Sequence, residues 1–196
     1  MQKFLRNDQN TTSTSKLAKS FSGYERNRLF IQGNGNFKDA TLVSGADTQA
    51  DGRGFALLDF NRDGWQDMVV SSPNSPRFLI LENKMNKIVN PTEANYCEIR
   101  LVGANRSASS SSRWSSRDAV GAKLIVKIGN GKRAFQNSVG EGLSSQNSSW
   151  IHVGLGEKKQ IDQIEVLWPS GKKTLHINIA AGQRTTLFER ERLKDE

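Results

Sequence analysis

Phe55-Ala56-Leu57-Leu58-Asp59-Phe60-Asn61-Arg62-Asp63-Gly64-Trp65-Gln66-Asp67-Met68-Val69-Val70 is two short apolar runs joined by an oxygen-rich turn. The runs at 55–58 and 68–70 are too short for helices and are bounded by Gly and Pro signals, so they read as strands. Between them Asp59, Asn61 and Asp63 recur at every second position, Gly64 sits inside the turn and Asp67 follows. That spacing curls the backbone so that the four side chains can converge. Calcium takes about six to eight oxygens, and the Trp65 carbonyl with water could complete such a shell. Two carboxylates about 4 Å apart repel by roughly 1–4 kcal/mol at surface-like dielectrics, so three in one turn call for a cation. The candidate metal ligands are therefore Asp59, Asn61, Asp63, Trp65 and Asp67, and the expected cofactor is Ca²⁺. The competing reading is a polar hairpin whose Asp and Asn cap their own backbone. An EF-hand is excluded, because its bidentate Glu would fall at Val70 and its flanks would be helices.

Working outward, 28–32, 37–41, 55–60, 68–71 and 77–82 read as strands that make about one four-stranded blade. The Asn34-Gly35 pair between two alternating stretches is a hairpin signal. Residues 1–22, rich in Thr, Ser, Asn and Lys, read as a flexible lead-in. Beyond 93, strands are expected at 96–102, 122–129, 132–139, 150–154, 160–168, 173–179 and 184–189. In Lys123-Leu124-Ile125-Val126-Lys127-Ile128 the residues Leu124, Val126 and Ile128 share one face. Ile161, Ile164 and Val166 alternate less cleanly, which allows a bulge. Short strands with Gly- and Ser-rich turns indicate a β-sandwich or jelly-roll-like module. The tract 107–116 reads as a mobile loop, with Trp114 either facing a ligand or anchored on its own domain.

Two resemblances follow from these residues. Gly54 through Val70, together with the stretch Arg28-Leu29-Phe30-Ile31-Gln32-Gly33-Asn34-Gly35-Asn36-Phe37-Lys38-Asp39, resembles an FG-GAP/VCBS repeat, the calcium-binding blade unit of integrin-type β-propellers. Asn61 stands where many members have Asp, which lowers the charge of the site. Ser116-Arg117-Asp118-Ala119-Val120-Gly121-Ala122-Lys123, Gly140-Glu141-Gly142-Leu143-Ser144-Ser145-Gln146, His152-Val153-Gly154-Leu155-Gly156 and Ile161-Asp162-Gln163-Ile164-Glu165-Val166-Leu167-Trp168-Pro169-Ser170-Gly171 follow in order. Together they are similar to the ASPIC/UnbV domain. The expected organisation is all-β: a lead-in at 1–22, a blade unit at 23–92, a β-sandwich-like ASPIC/UnbV domain at 93–190 and a charged tail at 191–196.

A blade needs neighbours on both faces, so the chain is expected to be the C-terminal part of a longer propeller protein or a reduced member packing on its own second domain. The resemblance implies an extracellular, periplasmic or cell-surface location. Met1-Gln2-Lys3-Phe4-Leu5-Arg6 has no apolar signal-peptide core, and no run approaches the roughly 20 apolar residues of a membrane span. The single Cys97 reads as a small buried apolar residue.

The net charge of +8 runs against the acidity usual for such propellers. Residues 1–96 hold 12 basic and 10 acidic groups and the remainder 16 and 10, so the excess lies mostly in the second half. Basic pairs such as Lys132-Arg133, Lys158-Lys159 and Lys172-Lys173 are spread over expected turns, a solvated-surface pattern and not a nucleic-acid motif. A basic face can still attract acidic polysaccharide or an anionic membrane.

No nucleophile elbow, P-loop, zinc-ligand spacing or dinucleotide fingerprint appears. His152 could act as a base, and Glu141 between two glycines could be presented at a sharp turn, but a hydrogen-bonded His and a surface turn are the default readings. The candidate ligand-binding residues are Trp114, Glu141, Ser144, Gln146 and His152. The expected function is a non-catalytic, calcium-stabilised recognition or adhesion module for polysaccharide or protein at the cell surface. The alternative is an enzyme or accessory protein in small-molecule biosynthesis, a role the resemblance also allows.

Overall fold

The computed structural model describes residues 2–4, 25–73, 75–88, 94–107 and 109–190. The protein is all-β and divides into two compact units. One comprises Met1–Met85 with Gly142–Gln146, the other Asn86–Glu141 with Asn147–Glu196.

The first unit is built on strands β1 (Gln2–Phe4), β2 (Phe30–Gly33), β3 (Asn36–Asp39), β4 (Gly54–Leu58), β5 (Asp67–Ser71) and β6 (Phe78–Glu82). A one-turn helix α1 (Thr41–Ser44) follows β3. The four-stranded antiparallel sheet has the order β1-β6-β5-β4, whereas β2 and β3 form a separate ribbon. This corrects two expectations. The strands near 28–32 and 37–41 do not join the blade sheet, and its fourth strand comes from the stretch expected as lead-in, where Gln2, Lys3 and Phe4 pair with Glu82, Leu81 and Ile80. Pairing satisfies backbone groups on β6 that an edge would leave open. The rest of the lead-in, the 89–93 boundary and the 191–196 tail lie outside the described residues.

The β2–β3 turn is as its Asn-Gly pair requires: Asn34 and Gly35 both have positive φ, 51° and 79°, the geometry of a type I′ hairpin. In the sheet, β4 residues Phe55 and Leu57 stand opposite Val70 and Met68, and the latter stand opposite Leu79 and Leu81. Val70, Leu79 and Leu81 are buried with Ala46 in a small core, against which Leu29, Ala50 and Met68 pack. Much apolar surface stays uncovered, including Phe30, Phe37, Phe55 and Phe78, each more than half exposed.

The second unit holds β7 (Asn95–Val102), β8 (Lys123–Ile128), β9 (Gly131–Gln136), β10 (Ile151–Gly156), β11 (Gln160–Leu167), β12 (Lys173–Ala180) and β13 (Arg184–Phe188). They form two sheets, β10-β7-β13 and β12-β11-β8-β9, a β-sandwich-like arrangement. All pairings are antiparallel except β13 with β7. Alternation fills the interior: Cys97, Ile99 and Leu101 from β7, Leu124 and Val126 from β8, Val153 and Leu155 from β10, and Ile161, Ile164 and Val166 from β11. Cys97 is fully buried, its thiol donating to the Ala180 carbonyl at 3.1 Å.

The three-residue step from Ile161 to Ile164 is not a register-shifting bulge. Pairing of β11 with β12 keeps one register on both sides of Asp162 and Asn178, the two positions that drop out of it. Asn178 has φ 55°, and Asp162 instead accepts the Gly129 N–H at 2.6 Å. A matched irregularity on both strands turns both side-chain faces together. The ladder is shifted elsewhere, between Gly154 and Gly156 of β10.

The segment Gly142–Gln146 belongs to the first unit, not to a continuous second domain. A Cβ on Gly54 would come within 2.5 Å of the Leu143 carbonyl and 3.3 Å of Ser145 Oγ. Only a glycine at the start of β4 lets this segment lie so close.

Candidate functional site

The loop between β4 and β5 is organised by its own acids. Asp59, buried at the end of β4, accepts the N–H groups of Asp63 at 3.1 Å and Gly64 at 2.9 Å through its two carboxylate oxygens. Asn61 Oδ1 accepts the Asp63 N–H at 3.1 Å, and Asp63 Oδ1 the Trp65 N–H at 2.9 Å. These are successive Asx turns, in which a short side chain closes a ring on the backbone ahead of it. The path needs left-handed backbone twice: Arg62 has φ 60° and Gly64 φ 88°.

Asp67, fully buried at the start of β5, accepts Phe60 N–H at 3.1 Å and Asn83 N–H at 2.7 Å. Burial pushes its carboxyl up and the Asn83 and Phe60 donors pull it back, while the charges of Asp63 and Asp59 add to the rise. Asn61 Nδ2 bridges Asp63 Oδ2 at 3.0 Å and Glu82 Oε1 at 3.2 Å, and the Lys84 ammonium pairs with the same Glu82 oxygen. Glu82 and Asn83 escaped the sequence reading. They lie far along the chain from the turn, and only the β5–β6 pairing, Met68 opposite Leu81, carries them to it.

The loop thus brings Asp59, Asn61, Asp63 and Asp67 together around one turn with Glu82 alongside. Among the described residues no three His, Cys, Asp or Glu side chains are grouped as a metal centre. The donors present are carboxylate and amide oxygens, which suit a hard cation and no soft one. Each carboxylate oxygen has a second lone pair beyond the one its N–H partner uses.

The other candidates fall in separate places. Ser144 and Gln146 belong to the first unit, in the segment beside β4, with Ser144 at φ 53°. Glu141, in the second unit, is exposed and accepts Ser138 Oγ at 3.0 Å. His152 lies on the face of β10 opposite Val153 and Leu155 and stacks on Tyr96, with ring centroids 5.4 Å apart and planes 10° apart. Its cross-strand partner is Glu98, a buried carboxylate held by Arg184, whose guanidinium lies 5.2 Å from the centre of the Trp150 ring. Tyr96, Glu98 and Arg184 were not singled out beforehand, because strand pairing and not sequence spacing makes them neighbours of His152.

The backbone around Trp114, in the tract 107–116 expected as a mobile loop, is tied down over residues 111–115. Asn105 Nδ2 donates to the carbonyls of Ser111 at 2.9 Å and Trp114 at 2.7 Å, while Asn105 Oδ1 accepts the Ser111 N–H at 2.8 Å. Glu189, buried at the end of β13, accepts the N–H groups of Ala104 at 2.9 Å and Ser115 at 2.8 Å, Ser115 Oγ at 2.9 Å and the Ser170 hydroxyl. Burial pushes this carboxyl up, but the bonds from Ser170, Ala104 and Ser115 outweigh it and hold it below the usual range.

Comparison with known proteins follows this division. Residues 17–70 match the FG-GAP-like repeat family, and residues 112–194 match the ASPIC and UnbV family. A stretch of 52 residues, 26% of this chain, is 48% identical to cartilage acidic protein 1 of Mus musculus and covers 8% of that protein. The chain therefore carries, in this order, a match to the FG-GAP-like repeat family and a match to the ASPIC and UnbV family.

Proposed function

We propose that this chain is a calcium-stabilised recognition module that binds a polysaccharide or protein ligand outside the cell or at its surface, with an adhesive role. The observation that carries the reading is the β4–β5 loop, where Asp59, Asn61, Asp63 and Asp67 are drawn round a single Asx-turned coil beside Glu82. Such a loop concentrates negative charge, and a bound Ca²⁺ would neutralise it and lock the turn between two strands. Asp59, Asn61, Asp63, Asp67 and the Trp65 carbonyl would hold the ion.

The extracellular setting draws on the FG-GAP-like match and on the partial likeness to cartilage acidic protein 1. Among the described residues no helix is long and apolar enough to cross a membrane. The uncovered Phe30, Phe37, Phe55 and Phe78 of the first unit fit a blade whose neighbours are further repeats of a longer chain.

Thermal unfolding of the full chain with millimolar Ca²⁺ and with a chelator tests the ion. At calcium about 100 times its Kd, binding adds about 2.7 kcal/mol to the first unit, a rise in Tm of about 10–20 °C for a unit of this size. Asp63→Ala should abolish the response. Identical melts with and without chelator would refute calcium stabilisation.

A further inference from the structure

Two cations of the second unit lie over one half-buried tryptophan, and a third is bonded to the backbone of one of them. Lys172 Nζ stands 4.5 Å from the centre of the Trp114 ring and donates to the Arg113 carbonyl at 3.1 Å. The Arg190 guanidinium lies 5.8 Å from the same ring. Arg106 Nη2 donates to the Arg190 carbonyl at 2.9 Å, and its guanidinium sits 5.3 Å from the centre of the Phe188 ring. Three connections far apart in sequence meet here: the β7–β8 loop, the β11–β12 hairpin and the chain after β13.

Some cations of this unit are held in ion pairs. Arg117, Lys173 and Arg184 each pair with a carboxylate, of Asp118, Glu165 and Glu98. Among the described residues no carboxylate forms an ion pair with Arg106 or Lys172. Glu189, the buried carboxylate next to Arg190 in the chain, is taken up by N–H and hydroxyl donors. Lys172 and Arg190 share the Trp114 ring, and Arg106 is tied to the Arg190 carbonyl; positive charge from three loops gathered in this way attracts an external polyanion.

We propose that this Trp114-centred group of cations is a binding site for an acidic polysaccharide, a polymer of uronate- or sulfate-bearing sugars. The inference rests on the recognition reading above and supplies its ligand class and its location in the second unit. A nucleic acid is disfavoured because single strands need open aromatic faces on which bases stack, and Trp114 already has Lys172 and Arg190 over its ring. A sulfated or uronic polymer needs only cations and hydrogen-bonding hydroxyls, and Ser110 and Ser112 stand exposed in the same tract.

The test is binding of the full chain to dextran sulfate and polygalacturonate at several salt concentrations, with neutral dextran, an oligonucleotide of equal charge and anionic phospholipid vesicles as comparisons. With three ion contacts, affinity should fall about twenty- to forty-fold between about 50 and 200 mM salt. The variants R106Q, K172Q and R190Q should each lower the slope of log Kd against log salt by about 1. W114L, which removes the ring that orients Lys172, should weaken binding about two- to five-fold. K158Q/K159Q, a basic pair at a different turn, should bind as the unaltered chain does, and unchanged circular dichroism and melting of each variant separate lost contacts from lost fold. Absence of binding to both acidic polymers, equal loss in K158Q/K159Q, or tighter binding to the oligonucleotide or vesicles would overturn the proposal. A chain that binds a neutral glycan but neither acidic polymer overturns this site and leaves the recognition reading standing. Acidic-polymer binding that persists in a chain with no melting response to calcium does the reverse for the ion.

Discussion

Removing the Glu189 carboxylate should destabilise the second unit more than any surface ion pair does. Its two oxygens accept two backbone N–H groups, of Ala104 and Ser115, and two hydroxyls, of Ser115 and Ser170. In Glu189→Ala the hydroxyls can rotate toward other acceptors, but the backbone donors cannot. Each buried N–H left without a partner costs about 1–3 kcal/mol, so the expected loss is about 2–6 kcal/mol. For a unit of roughly a hundred residues, each kcal/mol lowers Tm by about 4 °C or more. Glu189→Gln retains shape and one acceptor but turns an amide donor toward other donors, and should fall between Ala and the parent. The pH dependence has a definite sign. Hydrogen bonds hold the folded Glu189 carboxyl below its unfolded value, so its stabilisation is complete above the unfolded pKa and is lost as pH falls through the folded one. Melts followed by near-ultraviolet circular dichroism from pH 7 downward should show the parent approaching Glu189→Gln in acid. Equal Tm values for parent and Glu189→Ala at pH 7 would refute the reasoning.

Two further outcomes follow from packing. Gly54→Ala places a Cβ 2.5 Å from the Leu143 carbonyl, so the segment 142–146 must move; its amide hydrogen exchange should quicken while that of β11 is unchanged. Trp168, buried at the β11–β12 hairpin, donates its Nε1–H to Thr174 Oγ1 at 3.0 Å, and His176 Nε2 meets the same oxygen at 3.1 Å. Trp168→Phe loses that bond and some packing, for an expected cost of about 1–3 kcal/mol in denaturant unfolding. An unchanged midpoint would show that the indole N–H contributes nothing there.

The strands were legible because each carries its own signal. Leu124 and Val126 alternate with lysines, Asn34-Gly35 marks its hairpin, and 55–58 and 68–70 flank an acid-rich turn; the structure places strands in all of these. The metal candidates were legible as residues for the same reason, since an Asx-turned loop is closed by neighbours a few positions away. Local spacing therefore determined the all-β class and the acidic loop.

Partnership between distant segments was decided only in three dimensions. Gln2–Phe4 completes the β6 edge, the segment 142–146 lies with β4, and Glu82 joins the acidic turn from across the sheet. Asn105, Ser115, Ser170 and Glu189 likewise become one polar cluster, binding a serine tract that looked mobile. The cations round Trp114 looked scattered along the chain for the same reason. Alternation and turn chemistry act over a few residues, whereas edge pairing, buried carboxylates and clustered cations depend on which loops the finished sheets bring to one end.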